Sequence, residues 1–223
     1  MVAFADTLSK LVSQPTPPNI IMKLYYSPGA CSLSPHIALR EAGLEVDLIK
    51  VDPATRRLED GTDFLTINPR GYVPILVLDD GQQLSEGPAI VQYIADRAPA
   101  AQLAPAAGSF ERTRLQEWLG FINSELHQNF GLLFNPALHA STRDTVVRKL
   151  RARLDWVSQQ IQGKRFALGE QFSVADGYLF AVLGWTRFFG MNLADWPVLA
   201  EHSGRVASRP AVQAALRAEG LMA

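Results

Sequence analysis

The sequence predicts an α/β domain followed by an all-α domain. Three observations predict it. From Met22 to Arg97 the hydrophobic pattern changes every few residues, alternating short β-like runs with short helical ones. After Leu84 no strand signal occurs. Between the halves, Ala98 to Ser109 is rich in Ala and Pro and carries little periodicity, which is linker composition.

Taken in order, Lys23 to Tyr26 reads as a strand and Ser27-Pro28-Gly29 as a turn. Ser34 to Ala42 is helical and ends at Gly43, a suitable C′ residue. Val46 to Val51 alternates as a strand, and Asp63 to Ile67 supports one helical turn before Asn68-Pro69. Val73 to Leu78 is apolar and β-branched. Asp79-Asp80-Gly81 then marks a hairpin, with Gln83 to Ser85 as its return strand. Pro88 to Arg97 is helical with Pro88 in the first turn. The expected order is β-α-β-α-β-β-α, a small mixed sheet with helices on its faces.

The second half repeats helical spacing. Leu115, Trp118, Leu119, Ile122 and Leu126 follow an amphipathic period, as do Val146, Val147, Leu150, Leu154, Val157 and Ile161. Val174 to Phe189 is mostly apolar and reads as a central buried helix, followed by Pro197 to Ser208 and Pro210 to Leu221. Ser173 and Asp176 form a capping box with Phe172 in the staple position. Trp118, Trp156, Trp185 and Trp196 read as core or interface aromatics. The division expected is a flexible extension at 1–21, an α/β domain at 22–98, a linker at 99–109 and a helical domain at 110–223. Within 1–21, Asp6 to Val12 supports a short amphipathic helix before the prolines at 15, 17 and 18.

Composition narrows the function classes. The 223 residues are 48% hydrophobic and 19% charged, ample for a real core. A formal net charge of -1 gives no footprint for nucleic acid or an anionic membrane. No apolar run is long enough to span a bilayer. One cysteine forms no intrachain disulfide, which points to a reducing cytoplasm. His36, His139 and His202 lack ligand spacing, so no metal is expected.

Three places carry chemistry. Cys31 lies between a strand and a helix, where free N–H groups and the helix dipole favour a thiolate or a ligand's sulfur. The alternative, a small buried hydrophobe, is equally consistent with position alone. Val73-Pro74, at the entry to a strand, is either a cis peptide turning the Val73 backbone toward a peptide-like ligand or an ordinary trans proline. Glu86-Gly87, between strand and helix, either grips an α-amino-acid head group or serves the dipole of its own helix. All three sit at strand ends of one sheet. A thiol site, a backbone-pairing site and an α-amino-acid site together describe γ-Glu-Cys-Gly.

From Met22 onward the chain resembles the bacterial cytosolic glutathione transferases of the beta class. The resemblance rests on Tyr25-Tyr26-Ser27-Pro28-Gly29-Ala30-Cys31-Ser32-Leu33-Ser34-Pro35-His36, on Asn68-Pro69-Arg70-Gly71-Tyr72-Val73-Pro74 and on Glu86-Gly87-Pro88-Ala89-Ile90. It implies a thioredoxin-like N-terminal domain, glutathione as co-substrate, a small apolar electrophile as second substrate, and a cytoplasmic homodimer engaged in detoxification. It also implies roles by position. Cys31 meets the glutathione sulfur, and Tyr72, Val73 and Pro74 form the backbone-pairing segment. Glu86 and Gly87 hold the γ-glutamyl group, and Arg56 faces the glycyl carboxylate. Ser124 and His127 reach in from the second domain, with His127 as donor or base.

The helical wheel of Phe110 to Leu133 sets Gly120, Ser124, His127 and Gln128 opposite the apolar face. Such a face otherwise just meets solvent. Gly120 and Gln128 stand where the class carries Asn and Lys, which implies weaker glutathione binding than the class norm. The resemblance leaves two rival functions, a glutathione-dependent thiol–disulfide reductase working through Cys31 and a non-catalytic binding module.

Overall fold

The computed structural model describes residues 22–222. The expectations for 1–21, the extension and its short helix, lie outside these residues. Strand β1 (Met22–Tyr26) is central and pairs parallel with β2 (Val46–Lys50) through helix α1 (Leu33–Glu41). On its other side β1 pairs antiparallel with β3 (Ile75–Val77), which pairs antiparallel with β4 (Gln83–Ser85). The sheet order is β2-β1-β3-β4, and α2 (Gly87–Arg97) follows β4.

Two elements are shorter than the sequence suggests. The helix expected between β2 and β3 is one 3₁₀ turn, Phe64–Thr66, held because the Asp63 side chain accepts from the Leu65 N–H. Strand β3 begins at Ile75 rather than Val73, because Pro74 brings no N–H to a ladder.

The helical half runs through α3 (Phe110–Phe121), α4 (Gln128–Leu133), α5 (Ala140–Ile161), α6 (Val174–Leu183), α7 (Pro197–Ala207) and α8 (Pro210–Ala218). Between α3 and α4 the helix does not stay α. Ile122–His127 is a π-helical segment, which redirects the residues after it. The apolar helix expected to run from Val174 to Phe189 relaxes to 3₁₀ geometry over Gly184–Phe189. Trp185 and Trp196 are buried as expected, while Trp156 stays 39% exposed.

One core spans both halves. Ile37 and Leu39 of α1 join Leu179 and Val182 of α6 and Val212 and Ala215 of α8 in a single apolar cluster. Gly177 permits the approach of α6 to α1, since a Cβ there would sit 3.3 Å from Ile37 Cγ2. Asp176 anchors the start of α6 as a fully buried carboxylate. One oxygen accepts from the Ser173 N–H and hydroxyl, both at 2.8 Å. The other meets the Ala167 N–H at 2.7 Å and His202 Nε2 at 2.8 Å. The capping box therefore also ties the 163–173 connection and α7 to the central helix. Asp176→Ala strands several buried donors at once. It should cost more than a simple cap, about 3 kcal/mol or more. The check is the midpoint and slope of urea unfolding, with the slope expected to hold and the midpoint to fall.

Candidate active site

The candidate site is built where β1 and β4 end and β3, α1 and α2 begin. After Tyr26 the chain turns through Ser27 to Ser32. The Ser27 N–H donates to Ser32 Oγ at 3.1 Å, and the Ser27 hydroxyl donates to the Val51 carbonyl at 2.7 Å. Gly29 takes a left-handed φ of +70° that a side chain would resist. Its two backbone polar groups are held from the second domain. The N–H donates to Glu219 at 2.9 Å, and the carbonyl accepts from the Trp185 indole at 2.8 Å. Glu219 and His36, both buried side chains, are 2.9 Å apart through His36 Nδ1.

Cys31 leaves this turn partly buried against the core. Its thiol donates to the Val73 carbonyl at 3.4 Å. Burial pushes the thiol up to about 12, against the lowering pull of the Cys31 and Ser32 N–H groups. Those N–H groups do act in the expected direction, but desolvation outweighs them. In the free protein Cys31 is a hydrogen-bond donor.

The second segment is shaped by Asn68, which is buried. Its amide donates to the Tyr72 carbonyl at 2.8 Å and its oxygen accepts from the Arg70 N–H at 3.2 Å. The Val73-Pro74 bond is cis. The Val73 carbonyl faces Cys31, while the Val73 N–H has no hydrogen-bond partner among the described residues. Tyr72 is 71% exposed. Arg56 packs over this segment, since a Cβ on Gly71 would sit 3.2 Å from Arg56 Nη1. No ion pair engages Arg56 among the described residues.

Glu86 caps the N-terminus of α2 at φ +69°, a conformation rare outside glycine. Arg70, which the sequence reading passed over, pairs with Glu86 Oε1 at 3.0 Å and with the Ser85 hydroxyl at 2.6 Å. Gly87 opens α2, and Pro88 follows it in the first turn.

The second domain contributes differently from the helical wheel. Gly120, Ser124 and Gln128 are exposed, and the Ser124 hydroxyl donates to its own helix at the Gly120 carbonyl, 3.0 Å away. His127 does not share their exposure. The π segment sets it half-buried, with Nδ1 2.6 Å from the Tyr178 hydroxyl and its ring edge-on to Trp185 at 5.1 Å. Burial lowers its pKa, with Glu86 opposing from the first domain. Burial also raises Tyr178, and Glu86 of the first domain adds to it.

Tyr178 was read as part of a buried apolar helix, and Trp185 as a core aromatic. Their packing was visible in the sequence, but their polar tips were not. A cavity of about 1120 Å³ is lined by Trp118, Phe121 and Trp156 and contains none of the candidate residues. Among the described residues no three His, Cys, Asp or Glu side chains gather as a metal cluster.

Two family models match this chain, the glutathione S-transferase N-terminal domain over residues 29–97 and the C-terminal domain over residues 136–205. This chain belongs to the glutathione S-transferase family. It is a transferase with a thioredoxin-like first domain and a helical second domain, and glutathione is its thiol substrate. It is 44% identical over 200 residues to glutathione S-transferase GstA of Escherichia coli O157:H7, covering 90% of this chain and all of that one. It is 38% identical to glutathione S-transferase GST-4.5 of Xanthomonas campestris, over 90% and 100% of the two chains.

Among solved structures, the ternary complex of BphK, a bacterial glutathione S-transferase, superposes with a TM-score of 0.87 at 58% identity, covering 89% of this chain and 100% of that one. The beta-class glutathione S-transferase of Sphingomonas chungbukensis superposes with 0.86 at 48% identity, over 90% and 100%.

The transferase's buried thiol makes a kinetic statement. At pH 8 Cys31 should alkylate with iodoacetamide far more slowly than free glutathione. Its rate should climb only as pH rises well past 9, toward the thiol's raised pKa. Alkylation rate against pH, read by mass spectrometry, checks this.

Proposed function

We propose that this transferase conjugates glutathione to small apolar electrophiles, with both domains supplying the site. One observation carries the reading: the Cys31 thiol lies 3.4 Å from the carbonyl of Val73, whose N–H is free among the described residues. A sulfur contact and a strand-like pairing edge thus stand side by side, as a cysteinyl residue within a peptide requires. Val73 pairs with the cysteinyl backbone beside Pro74, and Tyr72 flanks it. Glu86 and Gly87 hold the γ-glutamyl head group, Arg56 faces the glycyl carboxylate, and Ser124 borders the cleft. Cys31 donates to the glutathione sulfur, and His127 takes its proton. With the sulfur as thiolate, attack on carbon forms the C–S bond and expels the leaving group.

The second substrate's character is supported by the wall beyond His127. Phe134 and Phe188 are about half exposed, and Phe134 packs on Trp185 at 5.8 Å and on Phe188 at 5.9 Å. Exposed aromatics beside a buried one suit a small apolar or aromatic electrophile. The raised thiol pKa of Cys31 favours conjugation over disulfide exchange, which needs an attacking thiolate. We extend the proposal to a homodimeric detoxifying enzyme of the cytoplasm. Family membership, a net charge of -1 and a single cysteine support it. No helix among the described residues is long and apolar enough to cross a membrane.

The test is a panel of glutathione-dependent assays covering conjugation of a chlorodinitrobenzene and of aliphatic electrophiles, disulfide reduction and dehalogenation. Conjugation is expected to dominate. Disulfide reduction without conjugation would overturn the proposal. In the same assays Cys31→Ala should raise the bound thiol's pKa by about one unit, or ~1.4 kcal/mol of lost thiolate stabilisation. Glu86→Gly should separate stability from binding. It relieves a strained φ and should raise the melting temperature by a few degrees, on the order of 1 kcal/mol. It should also raise KM for glutathione about tenfold or more through the lost charged contact.

A further inference from the structure

Tyr178 sits between two partners. Its oxygen is 3.0 Å from Asn123 Oδ1 and 2.6 Å from His127 Nδ1. The phenol has one proton to give, and a carboxamide oxygen can only accept. The Tyr178 proton therefore goes to Asn123. The Tyr178 oxygen then has only lone pairs to offer His127, so Nδ1 must carry the imidazole hydrogen. In a neutral ring this leaves Nε2 as a bare lone pair. No hydrogen bond uses Nε2 among the described residues, and it is not one of the buried unpaired atoms. Some of its surface therefore meets solvent. The ring cannot turn freely, because Trp185 and Tyr178 both pack against it edge-on.

We infer that Tyr178 and Asn123 are positioning residues that hold His127 as its Nδ1–H tautomer and so reserve Nε2 as the acceptor of the glutathione thiol proton. The inference rests on the reading of His127 as the base. In the step, the S–H bond breaks, an Nε2–H bond forms, and the electron pair stays on sulfur. The imidazolium keeps its Nδ1–H on the Tyr178 oxygen, so nothing in the relay rearranges as charge develops. Among the ionisable groups acting here, Glu86 favours the imidazolium and holds Tyr178 in its neutral form. Tyr178 is almost fully buried and its pKa is raised, so it acts as a fixed dipole rather than as an acid or base itself.

Histidine-labelled protein examined by ¹⁵N and ¹³C NMR at neutral pH reads the tautomer directly. Nδ1–H at His127 is expected in the wild type, and Nε2–H would overturn the inference. Two variants then test the consequence. Asn123→Leu leaves Tyr178 in place but frees its proton for Nδ1, so the tautomer should invert. Tyr178→Phe removes the acceptor, so the tautomer should become mixed. Both should lower kcat about tenfold with KM for glutathione nearly unchanged. The His127 NMR signal should change in step with kcat, a coupling that a purely structural role would not produce. A fall in kcat with the tautomer still Nδ1–H would count against the relay. His127→Ala separates this inference from the underlying reading. An unchanged kcat there removes His127 as the base, whatever the tautomer.

Discussion

Glu219 lies near the end of the chain, four residues from its last, and Gly29 lies in the first turn after β1. A buried carboxylate joins them at 2.9 Å and is balanced by His36. A charge without water must be matched on all sides, or its desolvation destabilises the fold. Here an N–H from the catalytic turn and an imidazole from α1 do the matching, and Trp185 takes the Gly29 carbonyl. The turn that presents Cys31 thus belongs to the first domain by sequence and to the second by its hydrogen bonds. Leu221 extends the same contact, lying 3.5 Å from where a Gly29 side chain would begin. The C-terminal segment thus braces the turn that carries Cys31.

Legibility from the sequence followed the range of the interaction. Cys31, Val73-Pro74 and Glu86 could be singled out because each sits at a junction whose signals are local: a turn, an X-Pro bond, a helix start. The capping box at Ser173 and Asp176 was legible for the same reason. Tyr178 with His127, Trp185 with Gly29 and Glu219 with His36 join residues 51 to 183 positions apart, and nothing in their neighbourhoods marks them. The π segment was illegible in another way. Its residues satisfy an α-helical wheel, so the wheel placed His127 beside Ser124. Backbone geometry separated them, turning His127 onto Tyr178 and leaving Ser124 outside. At Cys31 the local N–H groups were legible in the sequence, and the burial that opposes them was not.

The two domains divide the work by dielectric. The first-domain edge of the site is exposed and charged, with Arg70 and Glu86 paired at more than half exposure. Such pairs break at little cost, so an incoming zwitterion can exchange partners with them. The sulfur end is enclosed by Trp185, Tyr178 and the aromatic wall, where every dipole counts for more. Under the proposed function, recognition falls in water and proton movement out of it.

The protonated state of Cys31 has a bearing on durability. Peroxides and other oxidants react with thiolates, and sulfenic acid is the first rung of damage. A thiol raised to about 12 and bonded to a carbonyl presents almost no thiolate at neutral pH. The enzyme can keep a sulfur at its reacting centre without making that sulfur its weakest point.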